Sequence, residues 1–510
     1  MLIDRGGKGG VGSGLGRTGL GWKRESSLST VYGTGALRTA FGAKARLLPL
    51  RSAGTAIMRR LLFLSALGAI IVTALGLESP IYPETIPTRE RSTSPLAEEI
   101  DQHAAKIENQ VIAWRRDIHQ HPELSNREVR TAHLVADHLR HLGLEVQTEV
   151  AHTGVVALLR GEKPGPVVAL RADMDALPVT EEVDVPFASQ VRAIYNGSEV
   201  GVMHACGHDA HTAILMGVAE ILTALQPQLP GSVKFIFQPA EEGPPAGEEG
   251  GAALMVEQGV LENPKPEAIF GLHVSSQEEV GKIAYRSGPV LASMDTLRIT
   301  VRGRQTHGAM PWRGVDPIVI AAQIVLGLQT IQSRQVDVTK EPAIVSIGSI
   351  HGGLRFNIIP DTVDMVGTIR TFAEEMRDDM HRRIRTTAKM IAKSAGAEAE
   401  VTISKGPPVT INDAALTEQM VPTLMRVAGR QNVVVGPKLT ATDDVAVYQQ
   451  RIPGFFFFLG IVPKGADLNT AAPNHSPRFY VDESGLLLGV RALAHLTVEY
   501  LEAKQSSSER

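Results

Sequence analysis

Apolar residues recur along the chain at two periods, and the change between them divides it. Ile100, Ala104, Ile107, Val111, Trp114 and Ile118 are spaced 4, 3, 4, 3 and 4 apart, one apolar face of an amphipathic helix that Pro122 ends. Short apolar runs at Val155–Leu159, Val167–Leu170, Val233–Gln238 and Ala268–Leu272 read as strands, with helices at Ala210–Leu225 and Gly251–Gln258 between them. This alternation predicts an α/β unit built on a mainly parallel sheet.

The rhythm changes over 291–406. Thr296–Arg302 alternates like a half-exposed strand, and Asp316–Gln335 reads as a helix with Pro317 in its first turn. Strands at Ala343–Ser349 and Thr362–Arg370, a charged amphipathic helix at Ala373–Ala395 and a strand at Ala399–Ile403 follow. The order β-α-β-β-α-β is that of a ferredoxin-like unit. Because it carries its own two amphipathic helices, it reads as an insertion. The α/β pattern resumes with a helix at Ala414–Ala428, a strand at Gly454–Gly460 and a closing helix at Ser484–Leu501. The expected parse is a catalytic domain in two parts, 96–290 and 407–503, around an inserted domain, 291–406, with a tail at 504–510.

Charge changes the reading of the first 77 residues. The net charge of −4 over 510 residues conceals +7 on residues 1–57 and −13 from Glu78 onward. The acidic body offers no basic footprint for nucleic acid. Residues 1–57 show no hydrophobic period and read as a disordered basic extension, either placed before a true start at Met58 or an organellar transit peptide. Their segment GGKGGVGSGLG lacks the Lys-Ser/Thr pair of a phosphate loop. Met58-Arg59-Arg60 and the apolar run Leu61–Leu77 have the shape of a secretory signal, or of a short membrane anchor, which implies an exported protein. The Pro/Ser/Thr-rich stretch 78–95 reads as a linker.

Candidate chemistry lies in four places. Met203-His204-Ala205-Cys206-Gly207-His208-Asp209-Ala210-His211 puts three histidines and the chain's one cysteine within eight residues. A single cysteine excludes an internal disulfide framework, and thiolate with imidazole suits a borderline-soft dication. Glu241-Glu242 follows the strand Val233–Gln238; paired carboxylates there suit a division between binding a metal and taking a proton from water. His273 ends an apolar strand, where ligands gather in open α/β sheets. His475 lies in a turn near the C-terminus. Asp173 and Asp175 follow the strand Val167–Leu170, placed to orient a ligand.

In order, the segments IAWRRDIHQHPELS, RADMDALP, MHACGHDAHT, FQPAEEG, GLHV, GGLRFNIIPD, GTIRTF and HSPRF span Ile107 to Leu501 nearly throughout. With them the chain resembles the N-acyl-amino-acid amidohydrolases, the branch of dinuclear metallopeptidases that includes hippurate and auxin-conjugate hydrolases. The resemblance implies a zinc-peptidase-like α/β catalytic domain interrupted by a ferredoxin-like α+β lid that dimerises. It implies two divalent ions, Zn or Mn with Co or Ni also admitted, on Cys206, His208, Glu242, His273 and His475. Glu241 is the implied general base, and His307 the implied oxyanion donor, often lent by the partner subunit. Asn357 and Arg370 are implied holders of a substrate carboxylate, with Asp173, Asp175 and His211 in support. The implied reaction is hydrolysis of an N-acyl amino acid; a dipeptidase or carboxypeptidase would use the same machinery. Two departures fall where substrate groups approach. Trp312 stands where many relatives carry a histidine, and Thr442-Asp443-Asp444-Val445 where many read Ser-Glu-Asp-Phe.

Overall fold

Val168, Ala169 and Leu170 are fully buried, and the strand they form extends through Lys163–Asp173 into the middle of an eight-stranded sheet. The structure is a computed structural model, described for residues 94–508. The expected extension at 1–57, the signal or anchor at 58–77 and the linker as far as residue 93 lie outside the described residues. Ser94, one residue before the expected end of that linker, is buried and donates its hydroxyl to Glu502 Oε1 at 3.0 Å. Among the described residues no helix is long and apolar enough to cross a membrane.

The sheet runs Glu145–Val150, Gly154–Arg160, Pro230–Gln238, Lys163–Asp173, Ala268–Glu279, Gly454–Val462, Ile283–Tyr285, Val433–Val435. Its four central strands are mutually parallel. The first two strands pair antiparallel with each other, and the second pairs antiparallel with the parallel block. Every residue of Gly454–Val462 is buried, as a strand covered on both faces requires. The helices Ala97–Gln120, His208–Ala224 and Leu486–Ser508 pack together over one face, and Ile100, Ala104, Ile107 and Val111 point into their core. The closing helix continues through Ser508, so the expected tail is helical almost to its end.

The segment after Leu291 forms a separate four-stranded antiparallel sheet with its own core. It is built from Asp295–Arg302, Ala343–Gly352, Thr362–Thr371 and Glu398–Lys405, with the helices Pro317–Arg334 and Glu374–Ser394 on one face. Numbered in chain order, the strands lie 2-3-1-4, the order of a ferredoxin-like sheet. Asp316 caps the first helix, accepting from Ile318 N at 2.9 Å, with Pro317 at the first helical position, where a missing N–H costs nothing. Asp295, fully buried at the start of the first strand, accepts from Arg377 and His381 and ties that strand to the second helix.

Candidate metal centre

The carboxyl ends of the central parallel strands carry the candidate residues. Pro230–Gln238 leads into Glu241 and Glu242, Lys163–Asp173 ends on Asp173, and His273 lies on Ala268–Glu279, in register with Phe458 of Gly454–Val462. The helix His208–Ala224 starts beside them. Gly207, just before it, has φ +95°, and a Cβ there would stand 2.2 Å from Val274 Cγ2. Only glycine lets the chain turn at that point while the His273 strand packs this close.

These residues enclose one centre. Cys206 Sγ lies 3.4 Å from His273 Nε2, and His475 Nε2 lies 3.1 Å from Glu242 Oε1. Donor atoms of Cys206, His208 and His273 lie within 4.8 Å of one another, as do those of Cys206, Glu242 and His475. The thiol belongs to both groups. Two of the imidazoles are oriented from behind. His273 Nδ1 donates to the Val274 carbonyl at 2.7 Å, which leaves Nε2 toward the centre. His208 Nδ1 faces Asp175 Oδ1 at 3.2 Å, and its buried Nε2 has no hydrogen-bond partner.

The residue set fits two dications. It offers a thiolate, three imidazoles and a carboxylate, with an unpartnered buried nitrogen aimed inward. Charge points the same way. Around the fully buried Arg171 sit Asp173 at 2.6 Å, Asp443 at 3.1 Å and Asp444 at 3.0 Å, and Asp443 and Asp444 reach within 4.8 Å of Glu241. One guanidinium is too little cation for so many acids. Burial, then Asp443, Glu242 and Asp444, push the Glu241 carboxyl well above the usual range. Burial pushes Asp444 up to about 7, while burial and the neighbouring His211 hold His273 well below its ordinary value.

The supporting residues brace the centre in a definite order. His211 Nδ1 donates to Asp173 Oδ1 at 2.6 Å and Nε2 accepts from Val274 N at 2.8 Å, so both nitrogens are engaged. Asp175 accepts from Glu241 N at 3.1 Å, Glu242 N at 3.0 Å and Ser125 Oγ at 2.7 Å. Asp209 turns away, binding Arg115 at 2.7 Å and His119 at 2.8 Å. Asn474 donates to the Cys206 carbonyl at 3.1 Å and His475 N to the Ala205 carbonyl at 2.7 Å, which ties the C-terminal turn to the cysteine loop.

A cavity of about 790 Å³ opens over the centre. Leu291, Met294, Leu439, Val447 and Phe458 form an apolar wall, and Arg370 faces in from the four-stranded sheet. Among the described residues no acceptor pairs with the Arg370 guanidinium, whose pKa burial lowers. Thr442, Asp443 and Asp444 also line the cavity; Asp443 and Asp444 are taken up by Arg171. His307 and Asn357 are elsewhere. His307 is exposed on a two-stranded pair with Ile358, its Nδ1 accepting from Ala309 N at 3.0 Å, and Asn357 accepts from Gly308 N at 2.8 Å. Within the single chain neither lines the cavity, so the placement expected for both does not arise inside one protomer. Trp312, 76% exposed, follows the strand of His307, and the exposed Leu354 and Phe356 precede the strand that pairs with it.

Buried carboxylates and cations to which the sequence reading gave no role complete the setting: Glu128, Arg115, Glu181 and Arg171. Glu128 precedes a helix, Val129–His141, where an acid reads as ordinary complement to the helix dipole.

Residues 169–499, well over half of the chain, match the family model described as peptidase family M20/M25/M40. The chain is 40% identical over 407 residues to thermostable carboxypeptidase 2 of Saccharolobus solfataricus, covering 79% of this chain and 99% of that one. It is 37% identical over 401 residues to the N-acetyl-L-cysteine deacetylase of Bacillus subtilis, covering 79% and 90%. It superimposes on the Bacillus subtilis YXEP protein, described as a dinuclear metal-binding peptidase from the M20 family, with a TM-score of 0.65 and 36% identity, covering 78% of this chain and 99% of that one. A mixed α/β fold with a dinuclear metal-binding centre at its strand ends defines a metallohydrolase of amide bonds. The chain belongs to peptidase family M20/M25/M40.

Proposed function

We propose that this enzyme hydrolyses N-acyl amino acids to a carboxylate and a free amino acid, using Glu241 as proton carrier. The observation that carries the reading is the pairing of a fully built donor set with one carboxylate, Glu241, left outside both Cys206 groups and 4.0 Å from His208 Nε2. Cys206, His208, Glu242, His273 and His475 would hold two divalent ions, for which Zn and Mn are the first choices and Co and Ni also suit the donors. When bound, such ions polarise an amide carbonyl and acidify water. Glu241 takes the proton of the water that adds to the carbonyl carbon and returns it to the nitrogen as the C–N bond breaks. Its buried, acid-crowded position suits a group that must hold a proton between those two events.

The cavity supports the substrate class. Arg370 offers an unpaired guanidinium for the amino acid's carboxylate, a fork that binds both oxygens. The apolar wall receives the acyl group. The four-stranded unit, 291–406, is read as a lid through which two copies dimerise. Exposed Trp312, Leu354 and Phe356 beside His307 and Asn357 support that reading, as a second copy would cover them and receive His307 as oxyanion donor. The export reading rests on residues 58–77 alone.

The carboxypeptidase relative keeps a peptidase reading alive, and one panel separates the two. The full chain, stripped by chelator and reloaded with Zn or Mn, is assayed for amine release from N-acetyl-, N-benzoyl- and indoleacetyl-amino acids and from dipeptides. Metal-dependent release from the acyl-amino acids is expected. Cleavage of dipeptides alone would replace the proposal with the peptidase reading.

A further inference from the structure

Glu128 is fully buried, stands outside the cavity over the centre and belongs to none of the candidate donor groups among the described residues. It stands at the start of the helix Val129–His141, yet its side chain makes no bond to that helix. Instead its Oε1 accepts from Ala240 N at 2.9 Å and Asn126 N at 3.0 Å, and its Oε2 accepts from Thr153 Oγ1 at 2.5 Å. Ala240 is the residue before Glu241, buried, with φ +52°, a left-handed conformation that a side chain with a Cβ adopts only under constraint. The next two amides, Glu241 N and Glu242 N, are held by Asp175. Three successive N–H groups are therefore fixed by two buried carboxylates, and Glu128 has the one at the strained residue.

We propose that Glu128 is a positioning residue for the reaction: it locks Ala240 in the left-handed turn that sets where the Glu241 carboxylate lies. The proposal rests on the reading of Glu241 as proton carrier. Loss of the lock leaves substrate contacts in place and displaces the proton carrier, and displacements of about 1 Å near the chemistry cost about 10²-fold in rate. The effect belongs in kcat, with KM held. Glutamine at 128 keeps an oxygen for the two N–H groups and can donate its amide to Thr153 Oγ1.

The test uses the full, ion-loaded chain carrying Glu128→Leu, Glu128→Gln or Thr153→Val, each measured for kcat, KM, bound ions per chain and thermal midpoint. Glu128→Leu is expected to lower kcat about 10²-fold with KM within about threefold and the ion count unchanged. Glu128→Gln is expected to stay within about threefold of the parent. Thr153→Val loosens Glu128 without touching Ala240 and lowers kcat by a smaller factor at constant KM; it carries the test alone should Glu128→Leu not fold. The proposal is overturned by a folded Glu128→Leu, or in its stead a Thr153→Val, with parental kcat, by a Gln variant as impaired as the Leu variant, or by a kcat loss that tracks loss of ions. Glu241→Gln measured alongside separates the two levels. Full activity there sinks the proton-carrier reading, whereas an inactive Glu241→Gln beside parental Glu128 variants sinks the positioning role alone.

Discussion

Arg370 is the cation of the cavity that no acidic partner claims, and its position decides what a substrate must bring. It faces inward from the four-stranded sheet across from the Cys206 groups, half-buried, where a guanidinium–carboxylate pair is less screened than in open water. On the proposed reading, its contact with a substrate carboxylate is made equally in the ground and transition states. Arg370→Gln is therefore expected to raise KM by about 10- to 100-fold, a loss of about 1.5–3 kcal/mol, with little change in kcat. Steady-state kinetics on the best acyl-amino acid checks this; a fall in kcat at constant KM would place Arg370 in the chemistry.

At the scale of elements, the inserted sheet is pinned at one buried point. Burial pushes the Asp295 carboxyl up, and the hydrogen bonds of His381 and Arg377 outweigh it, holding the group down to about 2. A carboxyl whose folded pKa lies below its unfolded value of about 3.8 stabilises the fold above that value and loses its contribution as pH falls toward about 2. Amide exchange in Asp295–Arg302 and Glu374–Ser394 is expected to quicken over that window in the parent. Asp295→Ala takes the buried partner from Arg377 and leaves it only the more exposed Glu374, a change expected to cost about 3 kcal/mol at neutral pH. Unchanged stability on chemical denaturation would show that the cluster is not what pins the sheet.

The same scale shows what the chain makes legible. The first helix and the β-α-β-β-α-β order follow from periodicity because each element buries one face, and the central strands follow from apolar runs because they are covered on both. Glu145–Val150 carries no such signal: it is a sheet-edge strand of sequence Glu-Val-Gln-Thr-Glu-Val with one buried residue. The hairpin Arg192–Tyr195 with Ser198–Gly201 is largely exposed for the same reason. At the site, Cys206, His208, Glu241, Glu242, His273 and His475 stand out as reactive types in tight groups or at strand ends. Glu128, Arg171 and Asp443 come from distant segments, and only the fold joins them to Glu241 or to one another. Thr442-Asp443-Asp444, expected where substrate groups approach, does line the cavity, and its acids also serve Arg171, which the sequence does not show.

Considered whole, the molecule concentrates negative charge where its parallel strands end. Asp173, Glu241, Asp443 and Asp444 crowd one guanidinium, and Asp175 and Glu242 stand close by, an arrangement that bound cations relieve. Ligands that bind only the folded state add about 4 kcal/mol when present at about 1,000 times their dissociation constant. Chelation is expected to lower the thermal midpoint by several degrees, and reloading with Zn or Mn to restore it. A midpoint indifferent to chelator, with ions demonstrably removed, would mean that the charges are balanced without them.

The central claim is that Glu241 moves the proton while its neighbour Glu242 holds metal. The measurement that tests it most directly is the turnover and ion content of Glu241→Gln on the best acyl-amino acid. Two ions per chain with turnover reduced about 10²- to 10⁴-fold is the predicted result. Near-parental turnover with both ions in place would contradict the account.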